Sequence, residues 1–139
     1  MTQSRLLRAI GCLSLLCMAH ISIDAFAQEF PPKKTITIVV GFAPGGSADS
    51  AARVIAKKLS EDLGQNVIVD NKPGAGGNIA HAYTATAPTD GSVILFGSIG
   101  PLSIAPHLMK LPYDPQKDLA PLTMGVTFPN VLVVIPELG

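Results

Sequence analysis

Tryptophan is absent from the 139 residues, aromatic residues make up 5%, and charged residues make up 14%, well under the usual quarter. Lys+Arg and Asp+Glu stand equal at 10 each. That balance excludes a basic nucleic-acid-binding face, whose signature is an excess of Lys and Arg. So little charge also excludes a charged disordered tail. There are only two cysteines, Cys12 and Cys17, and both lie in the first 27 residues. The rest of the chain therefore has no disulfide, no cysteine metal site and no thiol nucleophile, and must be held by its core alone. The length suits one small domain rather than two.

Residues 1–27 read as an export segment. Arg5 and Arg8 form a positive start, Ile10 to Ala19 an apolar centre, and Ala25-Phe26-Ala27 a small-x-small cleavage site with Gln28 as the new N-terminus. The apolar stretch is short, broken by Ser14 and followed by His20, Ser22 and Asp24, which makes it a poor membrane span. Cleavage is favoured over an uncleaved anchor. Leu15 and Leu16 are too large to precede a lipid-attached Cys17. Residues 28–139 carry a net charge near −1, and glycine plus proline make up roughly a fifth of them, against about 12% expected. The excess clusters between apolar runs.

The runs alternate in kind. Thr35–Val40 (TITIVV) is predicted to be a strand buried on both faces. A glycine-rich loop, Gly41 to Ser47, leads into a helix from Ser47 to Leu63. On it Ala51, Ala52, Ile55, Leu59 and Leu63 share one face, while Arg53, Lys57, Ser60 and Glu61 face solvent. Gly64 is a natural stop. Asn66–Asp70 is a second strand, Asn71 to Gly77 a second glycine-rich loop, and Asn78 a candidate N-cap for an Ala-rich helix to about Ala87. Pro88 to Gly91 is a turn and Ser92–Gly97 a third strand. Ser98–Pro106 reads as a loop or short helix, Leu111–Pro115 as extended, and Leu119–Thr127 and Val131–Ile135 as further strands. Alternating β and α elements imply right-handed crossovers and a parallel, doubly wound α/β sheet. The chain stops at Gly139 just after a strand that such a fold would cover with a helix, so an incomplete domain is expected.

In an open α/β sheet, ligands bind beyond the C-terminal ends of the strands. Both glycine loops lead from a strand end into a helix start, where unpaired N–H groups and the helix dipole attract anions. One such loop would read as a tight turn; two after successive strands read as a binding site. Gly41 to Ser47 has Walker spacing without the lysine, and Gly74-Ala75-Gly76-Gly77-Asn78-Ile79 fails the dinucleotide pattern at its last position. A small carboxylate held by main-chain N–H groups therefore fits better than a nucleotide, and no cofactor is called for. Lys72 reads as a solvated lysine. Asp49 is placed either to favour the dipole of its helix or to hydrogen-bond the loop or a ligand. Gly97-Ser98-Ile99-Gly100 lacks the spacing of a nucleophile elbow. His81 and His107 have no evident carboxylate partner, read as surface or capped histidines, and make no zinc site.

The run Ile36 to Asp49 (ITIVVGFAPGGSAD) resembles the first strand and loop of the substrate-binding receptors of tripartite tricarboxylate transporters. Val67 to Ile79 (VIVDNKPGAGGNI) is similar to their second signature. Ala87 to Gly91, Leu111 to Pro115 and Phe128 to Val134 are similar to three more. The resemblance implies a periplasmic receptor of the type II binding-protein kind, with two α/β domains and a cleft. Residues 28–139 would be the N-terminal domain, truncated, with the second domain missing. Its ligand would be a di- or tricarboxylate, an acidic amino acid or an aromatic acid. One wall of the cleft would come from Phe42, Ala43, Pro44, Gly45, Gly46, Ser47 and Asp49, from Gly74, Ala75, Gly76, Gly77 and Asn78, and from Ser98 and Ile99. The loaded receptor, a monomer, would deliver its ligand to a membrane permease without catalysis. Two other readings stay open: an exported α/β hydrolase or nucleotide-using enzyme with Ser47 or Ser98 active, and a non-functional remnant.

Overall fold

The computed structural model describes residues 34–129 and 131–136. The export segment, the cleavage site at Ala27 and most of the lead-in lie outside the described residues. In these, no helix is long and apolar enough to cross a membrane.

The elements run β1 (Ile36–Val40), α1 (Ser47–Leu63), β2 (Val67–Asn71), α2 (Asn78–Ala85), β3 (Val93–Phe96), then a π-helical turn (Gly100–Ile104) that continues into a short α3 (Ala105–Leu108). The strands form one parallel sheet in the order β2-β1-β3. Ile36 stands opposite Val67, and Val40 stands between Asn71 and Phe96. The chain steps from β1 outward to β2, then crosses back over β1 to reach β3. With right-handed crossovers, that reversal puts α1 and α2 on opposite faces of the sheet. The doubly wound parallel α/β fold is therefore present.

β1 is central because its side chains suit a strand covered on both faces. Val39 and Val40 are wholly buried. Side chains alternate along a strand, so Ile38 and Val40 face α1, where they pack with Ala52, Ala56, Ile55 and Leu59 and with Val67, Val69, Ile94 and Phe96 of the neighbouring strands. The small Ala52 and Ala56 let the helix lie close to the sheet. On the other face α2 packs against β1 and β3. There Gly41 brings the end of β1 against the backbone of Gly77.

α1 has the expected bounds and ends at Gly64 in the left-handed region, φ 62°. Leu63, expected on the buried stripe, is 36% exposed. A helix of 17 residues spans about 25 Å and a five-residue strand about 17 Å, so the last turn overhangs the sheet. α2 stops at Ala85, short of Ala87. The Thr86 N–H bonds to Tyr83 O, and the Thr84 and Thr86 hydroxyls bond back to carbonyls one turn earlier, closing the helix before Pro88.

Three expectations need correction. Leu119–Thr127 and Val131–Ile135 are not strands: these residues lie in neither helix nor sheet, and Leu132 is 92% exposed. β propensity expresses packing on a pleated surface, and the described sheet ends at β2 and β3 without pairing this segment. It touches the core at Gly125, which lies against Phe96 and Ile55. Leu111–Pro115 is not simply extended. Asp114 turns the chain, its side chain accepting from Gln116 N–H and its carbonyl from Asp118 N–H.

A methyl group added at Gly41 would stand 2.9 Å from Gly77 Cα and 3.2 Å from Gly77 O, both backbone atoms. Gly41→Ala should therefore lower stability by about 1–3 kcal/mol through overpacking. Gly100→Ala meets nothing within 4 Å and should be neutral or slightly stabilising. Urea denaturation of the two variants beside the parent chain checks the contrast.

Candidate functional site

Because the three strands are parallel, the loops that follow them, 41–46, 72–77 and 97–99, leave the same edge of the sheet. β1 lies at the point where the strand order reverses, the place at which open α/β sheets characteristically leave a crevice between diverging loops.

The first loop is held by a carboxylate. Asp49, in the first turn of α1, is only 3% exposed. Its Oδ2 accepts from Gly45 N–H at 2.9 Å and from Arg53 Nε at 2.9 Å. Its Oδ1 accepts from Asn71 Nδ2 at 2.9 Å. Asn71 Nδ2 also donates to Phe42 O at 3.0 Å, and Arg53 donates to Asn71 Oδ1 at 3.3 Å. One carboxylate thus ties the first loop, α1 and the end of β2 together. The Arg53 hydrogen bond, followed by those from Gly45 and Asn71, holds the Asp49 carboxyl well below the usual carboxylate range. Of the two roles open to Asp49, the structure shows the bond to the loop. Arg53 is exposed, as expected, yet it is paired through the helix with Asp49.

Gly45, at φ 85°, turns the loop into the helix. Gly46 takes the cap position with extended backbone, φ −76° and ψ 172°, and offers no side-chain cap. Ser47 is the first helical residue. The first closing bond runs from Ser50 N–H to Gly46 O. The N–H groups of Ser47, Ala48 and Asp49 therefore precede the helix ladder at its positive end. Gly45, Gly46 and Ser47 are exposed.

The second loop is wound through four successive left-handed residues: Gly74, Ala75, Gly76 and Gly77 at φ 130°, 47°, 64° and 98°. The tight bend consumes amides. Gly77 N–H donates to Gly74 O at 2.9 Å and Asn78 N–H to Ala75 O. Asn78 is not the N-cap. Its own backbone is helical, φ −60° and ψ −29°, and Gly77 precedes the helix, whereas a capping residue needs non-helical angles. Its side chain donates to Ala75 O at 2.9 Å and accepts from the Tyr113 hydroxyl at 2.8 Å. Lys72 is not simply solvated. Its ammonium pairs with Asp70 at 3.0 Å and lies 4.2 Å from the Tyr83 ring centroid. The Asp70 hydrogen bond raises its pKa.

In the third loop the Ser98 N–H donates to His81 Nε2 at 3.4 Å, while the Ser98 Oγ is buried without a hydrogen-bond partner. His81 is not a surface residue: it is 0% exposed. Its Nδ1 lies 2.9 Å from Gly77 O, and its ring stacks on Tyr113 at 6.2 Å. Burial lowers its pKa. Nε2 takes the amide of Ser98 and not its hydroxyl, so the pair lacks the geometry of an activated nucleophile.

The structure brings Phe42, Gly77 and Ser98 together: the Phe42 ring and the Ser98 hydroxyl both lie beside Gly77 Cα, with Pro101. Asn78 joins through Tyr113. Gly76 and Ile99 sit exposed at the rim, as do Ala43, Pro44 and Ala75. His81 and Tyr113 were not anticipated as organisers of the site. The one signal for His81 was its place four residues after Gly77, one turn along the same helix face. Among the described residues, no three His, Cys, Asp or Glu side chains cluster to hold a metal.

The fold is the α/β fold of periplasmic binding proteins, of which the described residues form a part. MatC from Rhodopseudomonas palustris, solved with bound malate, is 41% identical with a TM-score of 0.59, over 63% of this chain and 30% of that one. A second R. palustris protein, solved with adipate, is 37% identical with a TM-score of 0.56, over 63% of this chain and 29% of that one. The family model for the tripartite tricarboxylate transporter family receptor matches residues 51–138, and the chain belongs to that family. Protein BugT of Bordetella pertussis is 40% identical over 140 residues, 99% of this chain and 42% of BugT. A protein from the tcbD-tcbE intergenic region of Pseudomonas sp. strain P51 is 43% identical over 119 residues, 86% of this chain and 35% of that protein. The chain thus spans about two fifths or less of these relatives.

The depressed Asp49 carboxyl contributes stability that is fully present above the ordinary value near 3.9 and is lost as pH falls below it. Asp49→Asn should be less stable at pH 7 and should lose less on acidification. Urea midpoints at pH 7, 4 and 3 read this as a shallower fall for the variant than for the parent; parallel curves would assign the acid sensitivity elsewhere.

Proposed function

We propose that the chain is the N-terminal α/β part, residues 28–139, of an extracytoplasmic receptor that binds a small organic acid and passes it to the permease of a tripartite tricarboxylate-type transporter. Export would follow removal of residues 1–27, and the receptor would act as a monomer in the periplasm. It is a binding protein and not an enzyme, in keeping with a family of receptors.

The observation that carries this reading is the pairing of charges around the crevice. The two cations nearest the glycine loops, Arg53 and Lys72, are spent on Asp49 and Asp70. The start of α1 keeps main-chain N–H groups ahead of its first closing bond and has no side-chain cap. Such a helix start attracts a carboxylate without a formal positive charge. The relatives solved with malate and adipate support this ligand class. The second glycine loop has less to offer than the first, since Gly77 and Asn78 spend their N–H groups inside the bend. It serves chiefly as a wall that sets the spacing of Phe42, Gly77 and Ser98.

Ser47→Pro tests the main-chain donor directly. Proline suits the first helical position, where its missing N–H breaks no ladder bond. Gly46, at ψ 172°, already has the extended backbone required before a proline. The variant should fold as the parent does and bind malate about tenfold more weakly, the cost of one charge-assisted hydrogen bond. Calorimetric titration with malate, adipate and the dimethyl ester of malate checks it. Equal affinity for acid and ester, or no loss in Ser47→Pro, would overturn the reading.

A further inference from the structure

The His81 side chain reaches both the second and the third loop. Its Nδ1 lies 2.9 Å from Gly77 O, an acceptor only, so Nδ1 carries the proton and donates. Nε2 is then the bare nitrogen, and it accepts from Ser98 N–H at 3.4 Å. The ring is 0% exposed and stacked on Tyr113, which leaves it no alternative partners in solvent. From this geometry we infer that His81 is a positioning residue for the crevice: its neutral ring sets the Ser98 amide against Gly77, and protonation of Nε2 releases that amide and re-forms the third loop.

The step is a matter of donors and acceptors. A proton on Nε2 turns it into a donor facing another donor, the Ser98 N–H, and the hydrogen bond between them is lost. The same serine holds a buried hydroxyl oxygen with no hydrogen-bond partner. That oxygen gives the new Nε2–H an acceptor once the loop turns. Ser98 thus exchanges its amide for its hydroxyl at His81, beside Gly77 Cα and the Phe42 ring.

The helices and strands packed around His81 bring it no charged side chain, and the charges on the neighbouring loops are paired among themselves: Lys72 with Asp70, and Lys117 with Asp114. β1 (ITIVV), β3 (VILF), the π-helical turn (GPLSI) and α2 (NIAHAYTA) contain no Asp, Glu, Lys or Arg. The titratable groups on the elements around it are Tyr113, stacked on the ring, with Lys110, Asp114, Lys117 and Asp118 on the same segment, Tyr83 on the same helix, Lys72 on the second loop, and the exposed His107 of α3. Burial lowers the His81 pKa from its ordinary value near 6.5, so the change falls below that pH. The neutral arrangement is complete above it and is lost as pH falls through the value in the folded chain.

The consequence for ligand rests on the carboxylate-binding reading; the loop rearrangement does not. Long-range imidazole NMR on the purified chain, titrated downward from pH 8 until His81 takes up its second proton, should find His81 neutral with its proton on Nδ1 at pH 8. The Ser98 and Gly77 amide signals should then move with the His81 midpoint while the rest of the spectrum stays dispersed. Across the His81 midpoint malate affinity should fall at least tenfold further in the parent chain than in His81→Gln. A proton on Nε2 at pH 8, a Ser98 amide that ignores the His81 midpoint, or global unfolding at that midpoint would overturn the inference. A parent-like fall in affinity in His81→Gln would overturn it as well. If malate and adipate bind at no pH while Ser98 still follows His81, the ligand reading fails and the positioning role stands. The measurement on the unaltered chain decides even if His81→Gln does not fold.

Discussion

β1 is bonded on both edges and covered on both faces, and this double enclosure governs the rest of the structure. A parallel strand in that position needs one crossover helix on each side of the sheet. The two helices must therefore start at the same edge, from loops that diverge at the end of one strand. The aliphatic run from Ile36 to Val40 meets the burial requirement. Gly41 meets the remaining one, since it lets the start of α2 come against the strand end with no side chain between them. The crevice between the loops is a by-product of the winding.

The crevice is then given its shape by polar residues that spend their hydrogen bonds on the protein. Asp49 braces the first loop through Gly45, Arg53 and Asn71. Asn78 and Tyr113 brace the second, and His81 joins the second to the third. Buried polar groups are costly unless paired, and here each pairing also fixes a loop in place. Positive charge is kept out of direct service in the same way, because Arg53 and Lys72 already have carboxylate partners. In the proposed reading the start of α1, a fixed dipole that needs no reorganisation, is what meets the anion. Family membership and structural relatives holding malate and adipate support the ligand class proposed for it, a small carboxylate.

The fold was readable wherever local chemistry and period coincided. TITIVV could only be a buried strand, the Ala52 to Leu59 stripe a helix face, and Gly64 a stop. The glycine loops announced themselves by position. The reading failed where a role depended on a distant partner. Asn78 looked like a cap until Gly77 took that position with a left-handed backbone, and Lys72 looked free until Asp70 and Tyr83 met it. The run of valines after Asn130 has strand composition, but the described sheet offers it no pairing.

The sequence by itself determined the alternation of strands and helices, the parallel winding and the two bends with their glycines, because these follow from side-chain period, branching and allowed φ. It also carried the family motifs. Only the tertiary structure decided which polar side chain belongs to which loop. Asp49 and Asn71 are 22 residues apart and His81 and Ser98 are 17 apart. Hydrogen bonds between such positions depend on how elements dock, which no local pattern encodes. Whether His81 faces water or the core is a question of the same kind, and the packing of α2 on β1 and β3 answers it.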